Sequence, residues 1–420
     1  MFPRIPQGRR ALLLGGGSTV AAGLANAVTA APTSAPPGAV WYETPPDPTK
    51  VQGRPVGSDG GYGTRSQFES AVRRVYSPAN LYTSGSLTPL ADMIGNTTPS
   101  GLHYERHHNG VPTIDPTRHT LVVHGEVRTP KRFTMTDIRR LPSVTRRHFL
   151  ECSGNTYPEW LAPTGKTVQS THGLLSTSEW TGVQFSVLAR EVGLKFEGGW
   201  VLAEGADSAV MTRSIPVEKL MRDAILAYGQ NGEAIRPEQG YPLRLLLPGF
   251  EGNTNIKWLR RLEVSDKPFM TREETSKYSD LMPDGKAWQF VFEMDAKSVI
   301  TFPSGEMRLP GAGYYEITGL AWSGRGRVSK VEVSTDGGAN WTAASFDNSP
   351  EPICTVRFRL PWMWNGQKAV LLSRCADETG YVQPSREQLL AARGANAYYH
   401  YNGIQSWYVA PDGRITNVAA

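Results

Sequence analysis

Cysteine is scarce in this chain, with only Cys152, Cys354 and Cys375 among 420 residues. So small a number allows at most one bridge and leaves one thiol over, which excludes a disulfide scaffold. No C-x-x-C, C-x-x-C-H or H-E-x-x-H pattern occurs. Zinc-finger, thioredoxin, c-type haem and zincin chemistry therefore have no anchor in the sequence. Runs of five or six like charges are also missing, so nucleic-acid binding has no support. The formal net charge is +5, but Arg4, Arg9 and Arg10 supply three of those charges before the first acidic residue. The apolar run that follows them is too short and too rich in glycine for a comfortable membrane span.

Glycine and proline are plentiful, 43 and 31 residues, without a period of three. This favours a turn-rich, strand-rich protein over a collagen-like one. Eleven tryptophans and sixteen tyrosines offer bulky core material with polar tips. The paired Arg9-Arg10, a mild apolar stretch and small residues up to Ala31 read as a twin-arginine export signal over 1–31. Export of the folded chain to the periplasm is the corresponding expectation. An uncharged Pro/Ala/Ser linker at 30–38 opens an extended N-terminal arm over 32–100, with one helical candidate at 67–75.

From about residue 101 the pattern is α+β, and a first domain is expected over 101–285. Strands are predicted at 119–127, 146–152, 199–204 and 243–247. Helices are predicted after the N-cap candidate Thr134, at 184–192 with Gly193 as C-cap, and at 216–226. Beyond Trp288 helical signals nearly vanish, and strands recur at 296–300, 313–321, 328–334, 355–360 and 368–376. That spacing predicts a second, all-β domain over 286–420, a sandwich of immunoglobulin-like type.

Cys152 stands where a strand turns, followed by Gly154 and Asn155, which let backbone approach a bulky group closely. On this local pattern three readings stay open. It is a buried structural thiol, a nucleophile paired with His172 or His148, or a thiolate ligand to a soft, high-valent metal. Residues 151–155 (ECSGN) resemble the cysteine loop of the sulfite oxidase superfamily of molybdopterin enzymes. Residues 106–112 (RHHNGVP), 226–233 (LAYGQNGE), 240–244 (GYPLR), 257–259 (KWL) and Arg393-Gly394 are similar to further segments of that family, in its order. The resemblance spans about 100–420. The stretches PLADMIGNTTPSGLHYERHHNGVP, GYPLRLLLPGFEGNTNIKWLRR and DETGYVQPSREQLL are most similar to its Sox sulfur-oxidation branch.

The resemblance implies a sulfite-oxidase-type domain followed by a dimerisation domain, and a molybdenum–molybdopterin cofactor with Cys152 as metal ligand. Arg106, Tyr228 and Arg393 would join Cys152 as catalytic residues, binding an anionic sulfur substrate or its oxygen. The cofactor would meet Tyr104, Glu105, Arg106, His107, His108, Asp207, Gln239, Arg244, Asn255, Ile256 and Lys257, with Arg213 a weaker candidate. Arg244 and Lys257 suit its phosphate, one by bidentate hydrogen bonding and the other as a point charge. Gln239 stands where a histidine is common. Thr156-Tyr157 replace an arginine pair of vertebrate-type enzymes, and residues 169–171 stand where those enzymes carry a tryptophan. A more open pocket with less positive charge follows, suited to sulfane sulfur on a carrier-protein cysteine. The alternative is a stand-alone sulfite dehydrogenase. With no haem in this chain, electrons would pass to a c-type cytochrome subunit, and a homodimer of this chain would form a heterotetramer with it. For Cys354 and Cys375, a bridge and two buried free thiols both fit.

Overall fold

A computed structural model of the chain describes residues 52, 54–195 and 199–419. The expected export signal and the linker at 30–38 lie outside these residues. The chain divides into two units, Met1–Glu69 and Ser70–Ala420. The described part of the first runs through turns and extended backbone. The helix expected at 67–75 is not formed: a turn at 67–68 is followed by the short strand Arg74–Val75. Its apolar residues find no core to pack on, with Phe68 and Val72 exposed, and an isolated helix of that length is unstable in water.

The second unit opens with a three-stranded sheet of Arg74–Val75, Gly85–Leu87 and Glu105–Arg106. Gly85 lies opposite Arg106, and a Cβ there would meet the Glu105 carbonyl at 2.4 Å. Only glycine lets these strands close. Two five-stranded sheets follow. In one, the strand Leu259–Ser265 sits between Thr120–Gly125, parallel to it, and Trp200–Gly205, antiparallel. In the other, Leu175–Gln184 lies between Ser143–Glu151 and Ile225–Gln230, all antiparallel. One core joins them, including Leu121, Ile138, Val183, Leu188, Leu226 and Leu262, each 0 % exposed.

Local chemistry accounts for the helix ends. Thr134 caps Met135–Arg140 in a box with Asp137, each side chain bonding the other's backbone N–H. Phe185–Val192 ends at Gly193 with φ +64°, a conformation glycine adopts without steric cost. The helix expected at 216–226 stops early, at Asp223, and Ile225–Gln230 is a strand. Pairing with Leu175–Gln184 on one side and Arg244–Leu246 on the other buries Leu226 and Ala227 completely. Tertiary pairing overrides the helical tendency of the segment.

The C-terminal part is two antiparallel sheets. Lys297–Phe302, Gly313–Trp322 and Val356–Trp364 form most of one; Val328–Ser334, Ala369–Asp377, Ser406–Val409 and Ile415–Val418 form most of the other. Val299, Ile317, Trp322, Val331, Phe358, Leu371 and Trp407 fill the core between them. Cys354 and Cys375 are buried and free. The Cys354 thiol reaches the Arg147 carbonyl at 2.8 Å, so the bridge considered from sequence is not made. One helix, Arg386–Arg393, interrupts the strands, capped by Ser385. Among the described residues no helix is long and apolar enough to cross a membrane.

Candidate active site

The strand Ser143–Glu151 ends against a tight turn that presents Cys152. The Cys152 N–H donates to the Leu174 carbonyl at 3.0 Å, and its own carbonyl accepts from Asn155 N at 2.9 Å. Asn155 stitches the turn from inside, donating to Glu151 Oε1 and the His172 carbonyl and accepting from Leu174 N. Gly252 faces the turn so closely that a Cβ would sit 3.2 Å from the Cys152 Cα and 2.9 Å from the Tyr104 hydroxyl. Burial pushes the Cys152 thiol up, a trend the Gly154 N–H and the Arg106 charge oppose. A bound cation would reverse it and hold the thiolate.

Two hollows meet at Cys152 and Arg106. The inner is a slot of about 70 Å³ and the outer a bowl of about 710 Å³. Of the residues predicted from sequence, Tyr104, Glu105, Arg106, His107, His108, Cys152, Asp207, Gln239, Arg244, Asn255, Ile256 and Lys257 all line the slot. They come from far apart in the chain. The Glu105–Arg106 strand brings one group, the 247–256 loop and Arg244 another, and the loop after Trp200–Gly205 brings Asp207. Asn255 shapes its loop by accepting from Leu247 N at 2.6 Å and donating to the Glu251 carbonyl at 3.0 Å. Gln239 donates to the Tyr104 carbonyl at 2.8 Å, and Asp207 accepts from Met211 N at 3.1 Å.

The slot holds more buried positive charge than it neutralises. Arg244 is 3 % exposed, its terminal nitrogens donate to the Gln239 and Asn255 carbonyls, and its Nε has no partner. Burial pulls its pKa down to about 10. Lys257 Nζ meets three neutral acceptors, the carbonyls of Arg106 and Glu238 and His107 Nδ1. Burial, and then the Arg244 charge, lower Lys257 to about 7. Burial opposes ionisation of Glu105, but the His107 hydrogen bond and the Arg73 charge outweigh it and hold it at about 2. That carboxylate is committed to His107 at 2.7 Å and Ser86 at 2.9 Å. Buried cations without a counter-charge are unfavourable alone and favourable around an anion. With the unpartnered donor Arg244 Nε for a phosphate and the unpartnered acceptor Asn253 Oδ1 for an N–H group, the slot fits a phosphorylated cofactor with ring N–H donors, and the Cys152 thiol at its mouth fits a soft metal.

Two of the residues expected to be catalytic lie elsewhere. Tyr228 is on the strand Ile225–Gln230, packed on the first core with Arg139 over its ring at 5.9 Å, and lines neither hollow. Arg393 ends the helix Arg386–Arg393 and is spent on Asp280 at 2.5 Å and the Trp288 ring at 4.3 Å; it too lines neither hollow. Arg213 is buried between Glu251, at 2.9 Å, and Glu274, at 2.7 Å, behind the slot wall. The neighbouring histidines diverge: His103 faces the Tyr104 carbonyl, His107 faces Glu105, and His108 faces the Tyr278 hydroxyl at 2.9 Å.

Sequence reasoning missed Tyr278, Asn253, Trp258 and Met211, all on the slot wall. Tyr278 belongs to both hollows, and its ring lies 5.1 Å from the Arg213 guanidinium. No motif surrounds it. Asn253 lies inside the stretch GFEGNTNIKW, where its neighbours were chosen and it was not. The bowl is bounded by Tyr76, Tyr157, Tyr398 and Tyr399, with Ser170 and Thr171 on its wall.

Residues 108–273 match the family model for the oxidoreductase molybdopterin-binding domain, and 288–406 match that for the Mo-co oxidoreductase dimerisation domain. The structure is similar to that of the sulfane dehydrogenase SoxCD from Paracoccus pantotrophus, with 44 % identity and a TM-score of 0.86, over 90 % of this chain and 100 % of that one. The chain belongs to the sulfite oxidase superfamily of molybdopterin oxidoreductases. Curated relatives in this superfamily include the NADH nitrate reductases of Solanum lycopersicum, 33 % identical over 70 % of this chain, and Cichorium intybus, 33 % identical over 64 %. This chain spans about a third of their length, 36 % and 32 % respectively. Membership in the superfamily implies a molybdopterin cofactor, and the slot is the candidate place for it. Arg244 and Lys257 would hold its phosphate, and Cys152 would bind the metal.

Proposed function

We propose that this chain is the molybdenum subunit of a periplasmic sulfane dehydrogenase, oxidising sulfane sulfur carried on a cysteine of a carrier protein. The single observation that carries the substrate reading is the bowl outside Cys152 and Arg106. At about 710 Å³ it is far larger than a free sulfite ion needs, and its walls are mostly tyrosine and hydroxyl side chains. Thr156, Tyr157, Ser170 and Thr171, which stand where vertebrate-type relatives carry arginines and a tryptophan, all line it. Its two cations, Arg106 and Lys277, suit the anionic end of a tethered sulfur group, and the breadth leaves room for the tether.

When bound, the cofactor supplies two-electron oxidation with transfer of oxygen derived from water to sulfur. The protein's own part is binding, orientation and exclusion. Arg106 attracts the anionic sulfur and offsets charge as oxygen is added. The His108–Tyr278 pair places a neutral hydroxyl at the junction of the two hollows. Burial and the Arg106 charge lower His108 to about 3, so it stays uncharged across the neutral range. Electrons would leave to a c-type cytochrome subunit, and the C-terminal sheets, read as an immunoglobulin-like sandwich, would pair two copies within a heterotetramer. The Arg9-Arg10 pattern supports export of the folded protein.

The test is a substrate comparison with cytochrome c as acceptor. Carrier-bound sulfane sulfur should be oxidised with a kcat/KM at least tenfold above that for free sulfite. Rapid oxidation of free sulfite with no turnover of the carrier-bound form would replace this reading with a stand-alone sulfite dehydrogenase. Cys152→Ser should abolish turnover in both assays while leaving the fold intact by circular dichroism.

A further inference from the structure

The cysteine turn is held from beneath by the C-terminal domain. Glu151, the residue before Cys152, is 0 % exposed and accepts three side-chain hydrogen bonds. These come from Lys297 Nζ at 2.9 Å, Asn155 Nδ2 at 2.9 Å and Trp322 Nε1 at 2.6 Å. Lys297 and Trp322 belong to paired strands of the C-terminal sheets, Lys297–Phe302 and Gly313–Trp322, and lie directly opposite each other. Lys297 itself is 1 % exposed and makes a second bond, to Thr156 Oγ1 at 2.9 Å. Thr156 closes the turn with φ +69°, a left-handed conformation that a β-branched residue adopts only when its surroundings impose it. One ammonium group thus grips the residue before the thiol and the strained residue that ends its turn.

This is a costly arrangement for stability alone. A buried ion pair gains little over an apolar pair of the same shape, because desolvating both charges offsets their attraction. What the pair does supply is a fixed position: two directional bonds from one rigid sheet to both ends of the six-residue stretch from Glu151 to Thr156. The neighbouring contact points the same way, since His400 N, also from the C-terminal domain, donates to the Ser153 carbonyl at 2.8 Å.

We propose that Lys297 is a positioning residue for the metal-binding thiolate, fixing from the second domain, together with Trp322, the height and angle at which Cys152 enters the slot. The proposal rests on Cys152 being the metal ligand. It makes the C-terminal domain part of the redox site as well as a subunit interface. A ligand sulfur displaced by a fraction of an ångström changes its overlap with the metal, and misplacement near 1 Å costs about a hundredfold in rate.

The experiment uses the molybdenum-loaded holoenzyme and three substitutions. In Lys297→Met the electron paramagnetic resonance g-values of the one-electron-reduced metal should shift or broaden. Its kcat should fall about ten- to a hundredfold with KM held within about twofold. Thr156→Gly, whose backbone conformation suits glycine and which removes only the second anchor, should change the spectrum in the same direction by less. A role confined to stability would lower the melting temperature and leave the g-values and kcat alone. A folded, metal-loaded Lys297→Met with the wild-type spectrum and kcat therefore overturns the proposal. If Lys297→Met does not fold, the wild-type spectrum in Thr156→Gly overturns it. Cys152→Ser tests the underlying reading separately: survival of the thiolate-ligand signature in that variant would refute the ligand assignment whatever Lys297 does.

Discussion

Replacing Lys257 by methionine should stabilise the cofactor-free protein and weaken its hold on the cofactor. The ammonium is half-buried beside Arg244 with neutral acceptors only, and its pKa falls from 10.5 to about 7. At about 1.4 kcal/mol per pH unit, keeping that charge costs the folded state at most about 5 kcal/mol. The cost is present in full below pH 7, where folded and unfolded chains both carry the proton. Between about 7 and 10.5 the unfolded chain retains a proton that the folded protein has shed. Stability therefore rises with pH over this window by up to about 1.4 kcal/mol per unit, and the cost is gone above it. Thermal melting of cofactor-free protein between pH 7 and 9.5 reads this directly. The wild type should gain about 2 °C per pH unit relative to Lys257→Met. The loaded protein should lose this pH-dependent gain, because the phosphate neutralises the ammonium, and Lys257→Met should release cofactor at least tenfold faster. If the two cofactor-free proteins melt in parallel across this range, or if the variant retains cofactor as well as the wild type, the slot is not an anion site built around Lys257.

Arg393→Met should act on stability more than on substrate. It leaves the buried Asp280 carboxylate without its counter-charge, held only by the Tyr398 and Tyr399 N–H groups, at about 3–5 kcal/mol by chemical denaturation, and should leave KM within about twofold in protein that folds. Tyr228→Phe removes a hydroxyl that faces neither hollow, so turnover should stay within about twofold of wild type in the cytochrome c assay. Thr134→Ala breaks a capping box remote from the site and should cost about 1 kcal/mol with kcat unchanged.

Much of the candidate site's clustering was legible because its residues sit in short motifs whose chemistry is local. Cys152 in its turn, Arg244 and Lys257 near Gly240, and residues 104–108 all reach the slot. Helix ends written in the chemistry of single residues were equally readable, as the Thr134 side chain and the Gly193 backbone show. Misplacement followed where the decisive partner is remote in sequence. Tyr228 stands on a strand because Leu175–Gln184 and Arg244–Leu246 flank it, a pairing invisible from residues 216–230 alone. Arg393 looked free to reach an anion until Asp280 and Trp288 closed on it. Tyr278 carries no local signature, and only the folding of its segment over His108 and Arg213 brings it to the wall of both hollows. The helix expected at 67–75 failed for the converse reason: its apolar residues have nothing to cover.

The wall formed by Tyr398 and Tyr399, with the His400 N–H on the Ser153 carbonyl, sets an order on the protein's biogenesis. At about 5–20 residues per second, a ribosome completes the cysteine turn roughly ten to fifty seconds before it reaches these tyrosines. Throughout that interval the nascent chain carries the Cys152 thiol without the wall that will shelter it. The pocket around Cys152 is therefore complete only once residues 398–400 have been made.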